Sequence, residues 1–130
     1  MLIKVLINFL VGILIGFVFE FIYRSIESQK IIMPKLVNVQ MYGLIGAFLV
    51  FVYYLNLRFP YKLIIFFIIP TCLEFLTGYL YLKIKKIYLW NYDAQKYNFM
   101  GLVCPLFSTF WFIISLVYYF TVLPLILNNL

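Results

Sequence analysis

The chain has 130 residues and a formal net charge of +6; 67% of its residues are hydrophobic and 11% are charged. This composition leaves room only for short loops, so we expect one integral membrane domain over residues 1–130 and no soluble or nucleotide-binding domain. Because the lysines and arginines lie in or beside the predicted loops, we attribute the basic charge to membrane orientation and expect no nucleic-acid partner.

Four apolar stretches are long enough to cross a bilayer core of about 30 Å, which takes about 20 residues of helix. A spanning segment must satisfy its own backbone hydrogen bonds, so helices are expected and not strands. The sequence therefore predicts an all-α membrane protein with a four-helix transmembrane bundle. The predicted spans are residues 2–23, 36–57, 63–82 and 101–127.

In the first span, polar and small residues recur at every fourth position and share one helix face. Gly12 and Gly16 allow another helix to approach closely, and we interpret them as packing positions. Glu20 and Arg24 at i, i+4 are explained equally well by an intrahelical ion pair or by a shared role in a site. The span ends in charged residues and not in small ones, so we expect it to be retained and not cleaved as a signal peptide.

The third span places Pro70, Glu74 and Gly78 on one face, and Pro70 frees the backbone carbonyl of Phe66. Glu74 has no basic residue one turn away on either side, so it must bind a partner elsewhere, contact water or be protonated. Placing an ionised acid in mid-bilayer costs roughly 2.5 to 3.5 kcal/mol, and such residues face a protein interior or a wet cavity. Glu74 is therefore the strongest candidate for a functional residue.

The loop before the fourth span combines aromatic residues with amide and carboxyl groups. Trp90 and Tyr92 are typical of anchors at the headgroup layer. Anchoring does not require the nearby Asp93 and Asn98, which could form a polar cap. The uncharged stretch from Tyr97 to the end is longer than a crossing requires, so we expect part of it to lie outside the bilayer core.

The two halves of the chain also share a short similarity. The segment Gln40-Met41-Tyr42-Gly43 resembles Asn98-Phe99-Met100-Gly101, and in each half it follows a span that ends in a glutamate and a basic loop. Two tandem helical hairpins would explain this pattern, and so would chance in a composition this biased.

The Lys and Arg residues are distributed unequally between the two sides of the membrane. In a four-span protein the loops after the first and third spans share one side, and they carry seven of these residues against three on the other side. We therefore expect both loops in the cytoplasm, at a bacterial cytoplasmic membrane, and both termini outside. The seven are Arg24, Lys30, Lys35, Lys83, Lys85, Lys86 and Lys96.

The same arrangement brings the polar ends of all four spans to one leaflet. We predict that they form a single acidic pocket that binds an ion or a substrate. The candidate residues are Glu20, Arg24, Tyr42, Glu74, Trp90, Tyr92, Asp93 and Asn98. The glycines interpreted as helix-packing positions are Gly12, Gly16, Gly43, Gly78 and Gly101.

The chain has no histidine, and its two cysteines, Cys72 and Cys104, lie in different predicted spans. A structural zinc site takes four Cys or His ligands, so we expect no such metal site and no cofactor. A divalent ion held by carboxylate oxygens remains an alternative.

The residues singled out above, with others at matching spacing, resemble the CmpB-type family of small bacterial membrane proteins labelled as ABC-transporter permeases. Nearly the whole chain takes part in the resemblance. Its signature is carried by Gly16, Glu20, Tyr23-Arg24-Ser25-Ile26, Tyr42-Gly43, Leu73-Glu74-Phe75-Leu76-Thr77-Gly78, Trp90, Tyr92, Asn98, Gly101, Cys104 and Trp111. The chain departs from the family pattern at Asn91, where the family has an aspartate, and at Met100, where it has an asparagine.

The resemblance implies a component or accessory subunit of a transport system, with membrane lipids and either a second copy or a separate transport subunit as partners. A structural or regulatory membrane subunit, in which the acids only specify helix pairing, is the main alternative. An intramembrane enzyme acting on lipid headgroups is less favoured, because no serine has an evident general base to activate it.

Overall fold

A computed structural model of the chain describes residues 1–31, 33–34 and 36–130, without the side chains of residues 36–38. Lys35, one of the predicted cytoplasmic lysines, lies outside the described residues. The helices are α1 (Leu2–Ser28), α2 (Leu36–Leu55), α3 (Phe59–Lys85), α4 (Pro105–Phe120) and α5 (Val122–Asn128).

The described residues contain no β-strand, and α4 with α5 makes up the fourth apolar stretch, so the predicted all-α membrane class with four apolar helical stretches is confirmed. Among the described residues, three stretches are long and apolar enough to cross a membrane: Leu2–Ser28, Phe59–Lys85 and Pro105–Asn128. The second predicted span begins at residue 36 as expected and ends two residues earlier than expected, at Leu55. It stops there because Asn56 adopts a left-handed conformation with φ of 54°.

The other helix ends also differ from the predicted spans. α1 continues to Ser28, because Glu20 and Arg24 pair within the helix instead of ending it. α3 begins four residues earlier than expected, with Pro60 in its first turn, where a missing N–H is not needed for an intrahelical bond. It also continues through Pro70 to Lys85.

The final apolar stretch is not one helix. α4 begins at Pro105 and not at Gly101, which has φ of 71° and belongs to the preceding segment. Its last turn ends at Phe120, and α5 begins after Thr121, whose φ of −119° departs from helical geometry.

The chain divides into two compact units, here called unit 1 (residues 1–55 and 121–130) and unit 2 (residues 56–120). Unit 1 contains α1, α2 and α5. Unit 2 contains α3, α4 and the segment that connects them, residues 86–104.

Within unit 1, α1 and α2 pack closely along the glycines. A Cβ atom at Gly12 would lie 2.4 Å from the Tyr42 carbonyl oxygen, and one at Gly43 would lie 2.8 Å from the Phe9 carbonyl oxygen. Nearer the start of α1 and the end of α2, Lys4 Nζ donates a hydrogen bond to Tyr54 Oη at 2.8 Å. The two helices are therefore antiparallel, with backbone against backbone at the glycines.

Candidate functional site

Glu74 lies inside unit 2 and is only 2% exposed. Its Oε2 atom accepts two hydrogen bonds, from Trp111 Nε1 at 2.7 Å and from Tyr92 Oη at 2.9 Å. Its Oε1 atom is buried and has no hydrogen-bond partner among the described residues. One oxygen of this carboxyl group is thus fixed by two donors, and the other has no hydrogen-bond donor among the described residues.

Tyr92 reaches Glu74 because of a glycine one turn further along α3. Gly78 lets the Trp90 ring lie against the helix, since a Cβ atom there would be 3.1 Å from Trp90 Cζ2. The Trp90 indole N–H donates to the Leu102 carbonyl oxygen at 2.8 Å, which ties the two ends of the connecting segment together. Tyr92, two residues later, stacks on the Phe107 ring with centroids 4.6 Å apart and points its hydroxyl at Glu74.

Polar residues elsewhere in the connecting segment bond mainly to its backbone. Asn98 donates to the Gln95 carbonyl oxygen at 2.9 Å and accepts from the Gly101 N–H at 3.0 Å. The Asn91 side-chain oxygen accepts from the Asp93 N–H at 3.0 Å. Gly101 is required here, because a Cβ atom would lie 2.8 Å from the side-chain oxygens of Asn91 and Asp93. These contacts hold the segment in the conformation that presents Tyr92.

A second polar pair crosses from α3 to α4 one turn away from Glu74. Thr71 Oγ1 lies 2.9 Å from Ser108 Oγ and 2.8 Å from the Phe67 carbonyl oxygen. Thr71 and Glu74 are three residues apart on α3, and Ser108 and Trp111 are three residues apart on α4. The two helices therefore meet through polar groups over a full turn.

Unit 1 contains the other predicted acid, Glu20. Its Oε2 atom accepts from Arg24 Nε at 2.8 Å, and its Oε1 atom lies 3.3 Å from Tyr42 Oη. The Tyr42 ring lies against Gly16, where a Cβ atom would be 2.4 Å from the ring. The i, i+4 ion pair is partly exposed and contributes only about 0.3–0.5 kcal/mol.

Glu20 and Glu74 therefore differ in how many of their carboxylate oxygens have hydrogen-bond partners. Both oxygens of Glu20 have partners within unit 1, so its contacts are those of a helix-pairing residue. One oxygen of Glu74 has none within the described residues, although the residue is almost completely buried. Burying a polar atom without a partner costs about 1–3 kcal/mol. A hydrogen-bond donor that reached Oε1 of Glu74 would offset this cost.

A family model described as "Putative ABC-transporter type IV" matches residues 7–130. The chain belongs to this CmpB family. No curated protein matches the chain, and no solved structure matches it. Together with the apolar helices, membership of the CmpB family identifies an integral membrane protein of a transport type.

The predicted site residues fall into two groups. Unit 1 brings together Glu20, Arg24 and Tyr42. In unit 2, Tyr92 contacts Glu74 directly, whereas Trp90 and Asn98 stabilise the connecting segment and Asp93 is exposed within it. The single pocket containing both acids stays a prediction.

The hydrogen bond from Trp111 to Glu74 was not predicted from the sequence. The available signal was the repetition of polar groups at Ser108, Trp111 and Ser115, three and four residues apart in an otherwise apolar helix. That spacing places them on one face, and all three are buried.

We expect Trp111 and Glu74 to be energetically coupled. Trp111→Phe should lower the free energy of unfolding by about 1.5–3 kcal/mol more in the wild-type chain than in a Glu74→Leu background, because the donated hydrogen bond exists only in the former. Circular dichroism during SDS-induced unfolding in detergent micelles measures both values. Trp90→Phe is the matched control, since it removes an indole N–H bonded to a backbone carbonyl. Equal losses for Trp111→Phe in both backgrounds would contradict the coupling.

Proposed function

We propose that this CmpB-family protein is a membrane-embedded subunit of a transport system in which Glu74 binds the transported substrate or a coupled cation. The observation that carries the proposal is the buried, unpartnered Oε1 atom of Glu74 beside an Oε2 atom fixed by two donors. A carboxylate oxygen with free lone pairs accepts a hydrogen bond from an ammonium, amide or hydroxyl group, or from water. An incoming group of this kind would remove the cost of leaving that oxygen unsatisfied.

The position of Glu74 along α3 fits access from one leaflet. It lies nine residues from Lys83, which is about 13 Å along a helix axis and less than half of a hydrocarbon core of about 30 Å. We infer that the basic ends of α1 and α3, with the residues that follow them, face the cytoplasm of a bacterial cell. The basic residues are Arg24, Lys30, Lys83, Lys85 and Lys86. The connecting segment of unit 2 would then present its ordered surface to a cytoplasmic partner.

A structural or regulatory role is the second candidate, and the contacts of Glu20 favour it. Both oxygens of that acid have partners inside unit 1, as expected for a residue that only specifies helix pairing. In this case the chain would assemble with a partner or with a second copy but bind no substrate.

The transport proposal predicts that the chain purifies with an ATP-hydrolysing subunit. A tagged chain extracted in mild detergent should retain such a subunit at constant stoichiometry, and the complex should hydrolyse ATP. A double substitution Lys85→Ser and Lys86→Ser, at the junction of α3 and the connecting segment, should weaken the association if this part of unit 2 is the docking surface. Lys4→Ser, distant in sequence and on the other predicted side, should not. Quantitative mass spectrometry of the purified material measures both results. A chain that purifies only with lipid or with further copies of itself would contradict the proposal and favour the structural role.

A further inference from the structure

The buried face of α4 carries a polar group at nearly every turn of unit 2. Ser108, Trp111, Ser115 and Tyr119 follow one another at intervals of three or four residues, so they form one stripe. Three of the four contact α3 directly: Ser108 at Thr71, Trp111 at Glu74 and Tyr119 at Phe66, where the ring centroids are 5.1 Å apart. The stripe therefore lines the contact between the two helices, here called the α3–α4 seam.

The remaining member, Ser115, is completely buried, and its Oγ atom has no hydrogen-bond partner among the described residues. It lies between Phe112, which packs on Phe67, and Tyr119, which packs on Phe66. Ser115 is thus at the level of Phe66 on α3. Because Pro70 has no N–H, the backbone carbonyl of Phe66 lacks its intrahelical bond at that level.

Among the described residues, two side-chain atoms of the seam therefore have no hydrogen-bond partner, Glu74 Oε1 and Ser115 Oγ. A third group, the carbonyl oxygen of Phe66, lacks its intrahelical donor because of Pro70. Each would cost about 1–3 kcal/mol if it were both buried and dry. Buried water commonly satisfies such groups, and a membrane helix with an internal proline relies on neighbouring groups or water in the same way. Water molecules in the seam would supply hydrogen bonds to all three groups.

We propose that water occupies the α3–α4 seam and that protons move along it between Glu74 and the Lys62 end of unit 2. This inference rests on the proposed function and deepens it by naming the coupled cation. The carboxylate of Glu74 accepts a proton at Oε1 and later returns it to an adjacent water. Each water or hydroxyl group in the path accepts one proton and passes on another, so no group of the seam is consumed.

The seam reaches a polar group at each end. At one end Tyr92, which is partly exposed, donates to Glu74 from the connecting segment. At the other end Lys62 Nζ lies 5.0 Å from the centre of the Tyr119 ring. Tyr92 and Trp111 are the groups that contact the carboxyl of Glu74 from the elements packed against α3 in unit 2. The nearest lysines of α3 are Lys83 and Lys62, about 13 Å and 18 Å away along the axis.

Proton flux into liposomes tests the proposal with the full chain alone. The chain would be reconstituted with a pH-sensitive dye inside, and a potassium diffusion potential would drive proton entry. We expect wild-type vesicles to acidify at least about tenfold faster than protein-free vesicles. Ser115→Val, which fills the seam with apolar atoms, and Ser115→Ala, which removes the hydroxyl, should each slow the flux by about tenfold, the factor that one lost hydrogen bond gives. Thr109→Val is the matched control, because its hydroxyl lies on the exposed side of α4.

Accessibility of a cysteine at the same position gives a readout that does not depend on flux. In a chain with Cys72→Ala and Cys104→Ala, the Ser115→Cys thiol should react with Ag⁺, a small ion that bonds thiolates in contact with water. Ile113→Cys, at a similar depth but on the exposed apolar face, should not react. Protection from later maleimide labelling under denaturing conditions measures the reaction.

The inference is overturned if wild-type flux equals that of protein-free vesicles, or if Ser115→Cys reacts no faster than Ile113→Cys. The proposed function is tested separately, by the copurification experiment. Copurification of an ATP-hydrolysing subunit without proton flux would leave the transport role intact and remove the proton as its coupled ion.

Discussion

Replacing Glu74 by Gln is expected to reduce substrate accumulation strongly while leaving the fold and the partner in place. The amide oxygen of Gln can still accept from Trp111 and Tyr92, so the contacts that position the side chain are kept. The negative charge and the free acceptor at Oε1 are lost. A hydrogen bond to a charged group contributes about 1.5–3 kcal/mol, so accumulation should fall by about 10- to 100-fold.

The measurement does not require the substrate to be known in advance. Inverted membrane vesicles containing the complex would be incubated with ATP and a total metabolite extract, and the retained compounds would be identified by mass spectrometry. Glu27→Gln, the same substitution at an exposed position of α1, is the control and should accumulate the same compounds as wild type. If Glu74→Gln instead dissociates the complex or lowers its melting temperature by as much as Glu74→Leu does, the acid is structural. Unchanged accumulation and stability would remove Glu74 from both roles.

Gly12→Ala is expected to separate α1 from α2 and to lower the free energy of unfolding by about 2–3 kcal/mol. Considered alone, alanine would stabilise a helix interior by about 1 kcal/mol relative to glycine. At this position the new Cβ would lie 2.4 Å from the Tyr42 carbonyl oxygen and 2.9 Å from the Gly43 Cα. Both are backbone atoms, which a side-chain rotation cannot move. The steric overlap therefore outweighs the gain in helix propensity, and the substitution is destabilising.

Gly78→Ala provides the comparison, because the atoms nearest to its added Cβ belong to side chains. Leu102 Cδ2 and Trp90 Cζ2 are both 3.1 Å away and can shift by a few tenths of an ångström. We therefore expect a loss of less than about 1 kcal/mol for Gly78→Ala, since the gain in helix propensity offsets most of the crowding. SDS-induced unfolding in micelles compares the two variants. A larger loss at position 78 than at position 12 would contradict the proposed basis of α1–α2 packing.

Much of the fold could be predicted because bilayer length and backbone satisfaction leave few choices for an apolar chain. The helices were predicted from these two constraints, and their order in the sequence followed directly. The boundaries were less accurate, because they depend on single residues in left-handed conformations such as Asn56 and Lys86. Those conformations are chosen by local hydrogen bonds that hydropathy does not describe.

The need of Glu74 for a partner could also be predicted from the sequence, because a lone acid in an apolar stretch needs one wherever it lies. The i, i+4 pair of Glu20 and Arg24 is a local relation, and the structure forms it as an intrahelical salt bridge of 2.8 Å. Relations of this kind can be read from spacing because a helix fixes the distance between its own residues.

Only the tertiary structure decided which residues meet Glu74 and what they leave free. Trp111 is 37 residues away in the chain, and Tyr92 arrives through a segment whose course is set by Gly78, Asn98 and Gly101. A sequence determines periodicity within each helix but not the rotation and register between two helices, which follow from packing of the whole surface. The amino-acid sequence thus determined that an acid lies within an apolar helix, whereas the fold determined that one of its oxygens is held by two donors and the other has no hydrogen-bond partner among the described residues.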